Sequence, residues 1–204
     1  VPEVLAEGPD WMASQLVELT DSEGTEYVDA GLRAAALIRA AGDPPPAAVS
    51  AWEGSSRNRA QRLVRALIGH LPLREFFRVR AEAANLPAEV WVHGDFSSSN
   101  VMNSDTGIRV IDWEFAGPGV WGTDEIRLWS TMERLADRER LMTHFIDDLP
   151  RDRRRDTGIL LHWLALRQLA ENLAAPRRYQ NPENIALGHV TLAEARLWRA
   201  RLST

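Results

Sequence analysis

Apolar positions recur at helical spacing along most of the chain. Val28, Leu32, Ala35 and Ile38 share one face, and the pattern stops at Ala41-Gly42 before Asp43-Pro44-Pro45-Pro46, a stop built from Gly and Pro. Ala60, Leu63, Val64, Leu67, Ile68 and Leu71 predict a second amphipathic helix, and Pro72 opens a third that runs to Ala84. Further on, Thr123 is expected to cap a helix over Asp124 to Leu135, followed by another over Glu139 to Ile146. Ile159 to Leu173 is apolar on nearly every face, which marks a buried central helix. A last helix opens at Pro182-Glu183 and runs through Arg201.

The pattern changes period between residues 90 and 112. Val90-Trp91-Val92, Val101-Met102-Asn103 and Ile108-Arg109-Val110-Ile111 are short β-branched or apolar runs, and Ser104-Asp105-Thr106-Gly107 supplies hairpin turn chemistry between the last two. Asn100 lies just before the first strand of that hairpin and Asp112 just after the second, so antiparallel pairing returns both to one open end. Asp95 reaches the same end from the run Val90 to Val92. An amide and a carboxylate are hard oxygen ligands suited to Mg²⁺, which keeps several waters and shares few protein ligands with phosphates. Asp95 is then left to meet a substrate hydroxyl.

Composition narrows the class. At 204 residues and 45% hydrophobic the chain can bury an ordinary core, and one main lobe is expected. A formal net charge of -5 argues against nucleic acid, and Arg151, Arg153, Arg154 and Arg155 read as a solvated helix start. With no cysteine there are neither disulfides nor thiolate metal sites. No run of eighteen apolar residues and no signal-like opening is present, so a cytoplasmic protein with no membrane partner is expected. His144 and His189 lack the spacing of a zinc site, His162 and Trp163 read as core, and Trp91, Trp113, Trp121 and Trp129 read as aromatic packing.

The pattern His93-Gly94-Asp95-Phe96-Ser97-Ser98-Ser99-Asn100 followed by Ile111-Asp112-Trp113-Glu114 resembles that of the aminoglycoside phosphotransferase and choline kinase-like group, whose loop is similar to the H-R-D-x-x-x-x-N loop of protein kinases. The resemblance implies a mostly helical α+β fold, the large C-terminal lobe of a protein-kinase-like fold with a short catalytic β-hairpin. It implies that Asp95 is the catalytic base, that Asn100 and Asp112 bind Mg²⁺ and with it the nucleotide, and that His93 and Asp124 are supporting residues. Glu114 and Glu171 are substrate-side candidates, with ordinary pairing the alternative: a salt bridge for Glu114, and for Glu171 a bond to Arg167 one turn back. The function implied is transfer of a phosphoryl group from ATP or GTP to a small-molecule hydroxyl, with aminoglycosides or other sugars and amino alcohols as acceptors. Phe96-Ser97-Ser98-Ser99 departs from the Leu-His-Pro-Gly-like segment of many members, which bears on the substrate side.

A larger departure is the lack of any Lys among the 24 basic residues and of a G-x-G-x-x-G run, parts that cover the phosphates in a complete kinase. Val1 to Ala6 and Trp11 to Thr20 resemble the last strands of the small nucleotide lobe, so residues 1–21 are expected to be a remnant of that lobe and 22–204 the helical catalytic and substrate lobe. Val1 is not an initiator, which makes the chain a fragment, a processed product or a truncated form by this reading. It would then turn over slowly alone, and either self-associate or pair with a partner that supplies the small lobe. Two alternatives stay open: a non-catalytic kinase-like binding module, and one half of a split kinase.

Overall fold

The computed structural model describes residues 4–8, 11–14, 24–42, 70–104, 107–175 and 180–203. Among these, six α-helices dominate: α1 (Thr25–Arg39), α2 (Leu73–Ala83), α3 (Thr123–Thr131), α4 (Leu135–Asp147), α5 (Arg154–Ala174) and α6 (Pro182–Leu202). Strands β1 (Val4–Gly8), β2 (Trp11–Ser14), β3 (Val90–Val92), β4 (Val101–Ser104), β5 (Gly107–Val110) and β6 (Gly117–Gly119) pair antiparallel as β1 with β2, β3 with β6 and β4 with β5. The mostly helical fold expected from the apolar spacing is present. The Pro44 to Pro46 connector and the expected helix over Ala60 to Ile68 lie outside the described residues, as do residues 15–21 of the expected lobe remnant. No helix among the described residues is long and apolar enough to cross a membrane.

The hairpin forms where its β-branched runs and turn residues place it. Val101 pairs with Val110 and Met102 with Arg109, closing at Ser104 opposite Gly107. Strand β6 was not anticipated, because Gly-Pro-Gly has no side chains of β-forming type. Its extended state comes from pairing: Val92 lies opposite Gly117 and Val90 opposite Gly119. A Cβ on Gly119 would stand 2.4 Å from Cγ2 of Val92, so only glycine lets these backbones approach.

One helix boundary corrects the sequence expectation. Thr123 does not cap a helix reaching Leu135; Gly122, at φ 86°, occupies the N-cap position, and Thr123 Oγ1 instead donates to the Val120 carbonyl at 2.7 Å. Helix α3 ends at Thr131, Met132 turns extended, and α4 begins at Leu135 rather than near Glu139. The break is stabilised from a distance. Arg138, 1% exposed, donates from Nη1 to the carbonyls of Trp129 at 2.9 Å and Met132 at 3.3 Å, satisfying oxygens that the interrupted helix leaves open. Its Nη2 reaches Thr191 and Glu194 on α6, so the break is also where α4 locks to the last helix.

Helix α5 is the buried centre. Leu161, Leu166 and Leu169 are fully buried and join Ile126, Leu128 and Trp129 of α3 in one core with Phe96 and Val101 of the catalytic loop and hairpin. Helices α5 and α6 run antiparallel, Gly158 facing Arg199 and Leu202, and Gly188 facing Leu169. Across their outer end, His162 of α5 shares a 2.7 Å bond with Glu75 of α2 and receives a 3.2 Å bond from Arg199 of α6. Burial holds the His162 imidazole below its ordinary value, against the pull of Glu75. The core expectation for His162 therefore holds, with a polar network around the ring. The run at Arg151 to Arg155 forms a short 3₁₀ turn leading into α5, with Arg151, Arg154 and Arg155 exposed.

Candidate active site

The loop from His93 to Asn100 joins β3 to β4, and its shape is set mainly by backbone donors. The amides of His93 and Gly94 donate to Oδ2 and Oδ1 of Asp124 at 2.8 and 3.2 Å. Gly94 has φ 81°, and a Cβ there would lie 2.4 Å from the Phe115 carbonyl oxygen, so the turn requires glycine. Asp124, at the start of α3, is 3% exposed. Burial pushes its carboxyl up to about 7, with the neighbouring Glu125 adding to the rise and the two backbone bonds opposing it.

His93 fastens the loop to the hairpin. Its ring is buried, and because a carbonyl can only accept, Nε2 carries the proton and donates to Ile111 O at 2.9 Å. The Nδ1 atom has no hydrogen-bond partner among the described residues. Burial lowers the imidazole from its ordinary value, outweighing the raising effects of the Ile111 bond and of Asp95 and Asp112. The Trp113 ring meets the imidazole edge-on at 4.7 Å, and Trp113 Nε1 donates to Val110 O.

The hairpin ends bring the metal candidates to one side. Ile111 N donates to Asn100 O at 3.0 Å, so Asp112 follows directly after the residue paired with Asn100. Asp112 is exposed and left-handed at φ 64°, ψ 59°, a conformation Asp tolerates better than most residues. Asn100 is 9% exposed, and its Nδ2 donates both to Asp95 O at 2.9 Å and to Asp95 Oδ2 at 3.1 Å. Only the amide nitrogen can serve two acceptors in this way, which leaves the Asn100 side-chain oxygen as a hard ligand. That oxygen and the Asp112 carboxylate fit Mg²⁺, whose remaining positions go to water and phosphate. Among the described residues no three His, Cys, Asp or Glu side chains gather as a metal site.

Asp95 itself is doubly held. While Asn100 engages Oδ2, Arg127 of α3 donates to Oδ1 from Nε at 3.1 Å and from Nη2 at 2.8 Å. Neither Arg127 nor Thr131 was among the expected site residues. Thr131 Oγ1 accepts from the Ser98 amide at 2.9 Å, and Ser98 Oγ donates back to Thr131 O at 3.0 Å. A signal was present, since Asp124, Arg127 and Thr131 are spaced i, i+3, i+7 and so share one helix face. Once Asp124 is placed against the loop, the other two follow. Of the other two sequence candidates, Glu171 pairs with Arg167 at 3.0 Å within α5, and Glu114 has its backbone in the 3₁₀ turn Trp113–Phe115.

Comparison with known proteins gives the family and the fold. Residues 3–159 match the family described as a phosphotransferase enzyme family. Among solved structures, a choline/ethanolamine kinase family protein from Mesorhizobium loti is similar at a TM-score of 0.59 and 18% identity, with 98% of this chain and 76% of that one covered. A choline kinase from Cryptosporidium parvum Iowa II gives a TM-score of 0.59 at 11% identity, covering 99% and 74%. At those identities the likeness shows a shared fold, the protein-kinase-like one. No curated protein matches the chain. The family match spans well over half of the sequence and includes Asp95, Asn100, Asp112 and Asp124, and the chain belongs to the phosphotransferase enzyme family.

Proposed function

We propose that the protein transfers the γ-phosphoryl group of ATP or GTP to a hydroxyl of a small molecule, with Asp95 as the base and Asn100 and Asp112 as the Mg²⁺ ligands. The observation that carries this is the pair of hydrogen bonds from Asn100 Nδ2 to Asp95, which couples the metal side of the loop to the carboxylate that would meet the acceptor. Asn100 and Asp112 would hold the Mg²⁺, which would supply charge neutralisation for the phosphates. Asp95 would orient the hydroxyl and take its proton, and His93 would hold the hairpin at fixed distance from the loop through Ile111. Asp124 would keep the loop backbone in place without touching substrate. Catalysis of this kind is mainly positioning and electrostatic.

The acceptor classes that the sequence resemblance implies are aminoglycosides, other sugars and amino alcohols, and the names of the two similar structures add choline and ethanolamine to the assay. Residues 1–21 are proposed to belong to a small nucleotide lobe, residues 22–204 to the catalytic and substrate lobe. In the test, phosphoryl transfer is followed in the parent protein and in Asp95→Asn, which keeps the shape and removes the proton acceptor. The rate should fall about 10²- to 10⁴-fold while affinity for Mg²⁺-nucleotide changes little. An Asp95→Asn protein working at the parental rate contradicts the assignment.

A further inference from the structure

Asp95 is approached from two sides that differ in chemistry. Oδ2 faces Asn100, the metal side, whereas Oδ1 faces Arg127 on α3, so an acceptor that reaches the carboxylate away from the metal meets a guanidinium. Arg127 is 19% exposed at its side chain, and Nη1 makes no hydrogen bond among the described residues, which leaves a charged donor on the guanidinium beyond the edge that holds Asp95.

The neighbouring carboxylates are already matched. Glu125, 3% exposed, is paired with Arg39, whose guanidinium also lies 4.6 Å from the centre of the Trp121 ring. Glu171 is paired with Arg167. Asp124 is buried with both oxygens on backbone amides. None of these carboxylates is free to receive the ammonium of a cationic acceptor, and Asp95 itself carries its counter-charge. An anionic group would find Nη1. Charge-assisted bonds from arginine to carboxylate are about twice as strong as neutral ones.

From this arrangement we propose that Arg127 selects the acceptor by charge, favouring a small molecule that carries a carboxylate or similar anion next to the reacting hydroxyl over one that carries an amine there. The proposal rests on the kinase reading and narrows its acceptor class away from aminoglycosides and simple amino alcohols. Arg127 would then be a specificity-determining residue, holding Oδ1 of Asp95 with one edge of its guanidinium and the acceptor anion with the other.

Glycerate, glycerol and 3-amino-1,2-propanediol test this, because they share a three-carbon hydroxyl frame and differ in one terminal group. Binding of each is measured by saturation-transfer NMR and calorimetry with Mg²⁺ and a non-hydrolysable ATP analogue present, and kcat/KM is measured with ATP, in the parent protein, Arg127→Gln and Arg127→Glu. The parent should favour glycerate over the amine by about tenfold or more, Arg127→Gln should bring the ratio within about threefold, and Arg127→Glu should invert it. Equal binding of acid and amine by the parent overturns the proposal. So does a preference that survives in Arg127→Gln, or failure of all three compounds to bind a protein that still binds the nucleotide analogue. If Arg127-dependent binding of glycerate is found but no acceptor, choline and aminoglycosides included, gains phosphate, the kinase reading fails and charge selection by Arg127 stands.

Discussion

His93 and His162 are both buried and both held below the ordinary histidine value by burial, yet their surroundings differ in kind. His162 is satisfied on both nitrogens by side chains, Glu75 on one and Arg199 on the other, and the network ties three helices together. His93 donates once to a backbone carbonyl and keeps Nδ1 without a partner among the described residues. Around His162 polar side chains fasten helices to one another; around His93 they fasten loop backbone. A helix junction can be repaired by a change of rotamer, whereas a loop held by its own amides has few alternatives. Structural polar groups close on each other, and those of the candidate active site hold a shape whose outward oxygens remain for ligands.

The largest expected effect is in pH dependence, where Asp124 and His162 have opposite signs. Asp124 is raised from 3.8 to about 7 in the folded chain, so between those values the folded state keeps a proton that the unfolded chain gives up. Stability contributed there is present at low pH and is lost as pH rises through that window, by as much as about 4 kcal/mol. His162 is lowered from 6.5, so the unfolded chain takes the proton first and stability is lost as pH falls below that value. Urea unfolding from pH 4 to 8 should show Asp124→Asn removing the loss on the alkaline side and His162→Gln reducing the loss on the acid side, the rest of which stays with His93. Parallel pH profiles in the two variants would erase the distinction.

Backbone freedom comes next. Gly94→Ala places a Cβ against the Phe115 carbonyl oxygen in a left-handed conformation and should cost about 3 kcal/mol in urea unfolding. Gly188→Ala on α6 meets Leu169 Cδ1 at 3.2 Å, the end of a side chain that can give. Gain in helix propensity offsets that contact, so its net effect should stay within about 1 kcal/mol of zero. A Gly188→Ala cost equal to that of Gly94→Ala would show the junction to be as rigid as the loop.

Part of this contrast was legible in the sequence. The β-branched runs and the turn residues around Asp105 specify the β4–β5 hairpin, and with it the common end shared by Asn100 and Asp112, because register follows from local chemistry. Apolar spacing likewise placed α1, α2, α5 and α6 to within a few residues of the observed bounds, except that α5 begins at Arg154 rather than Ile159. Strand β6 was not legible, since Gly117-Pro118-Gly119 is a strand only because Val90 to Val92 lies beside it. The end of α3 was hidden for a similar reason: the group that satisfies its last carbonyls is Arg138, part of the next helix. Arg127 was not legible because it lies outside the motif in sequence, and only the helix places it one turn beyond Asp124 on the same face.

The smallest expected effect concerns Glu171, a substrate-side candidate from the sequence that pairs with Arg167 instead. Both side chains are partly exposed, at 32% and 22%, and such i, i+4 pairs are screened by solvent. Glu171→Gln should change the unfolding free energy in urea by no more than about 0.5 kcal/mol and leave kcat/KM unchanged. A large fall in kcat/KM would return Glu171 to the acceptor side.

As proposed, the hairpin end would hold the metal-bound nucleotide through Asn100 and Asp112. The most direct test is calorimetric titration of ATP, with and without Mg²⁺, into the parent protein and Asp112→Ala. Mg²⁺-dependent binding is expected in the parent and its loss in Asp112→Ala, with the thermal unfolding of the two proteins alike. Equal Mg²⁺-dependent binding by both would place the metal elsewhere and contradict the proposal.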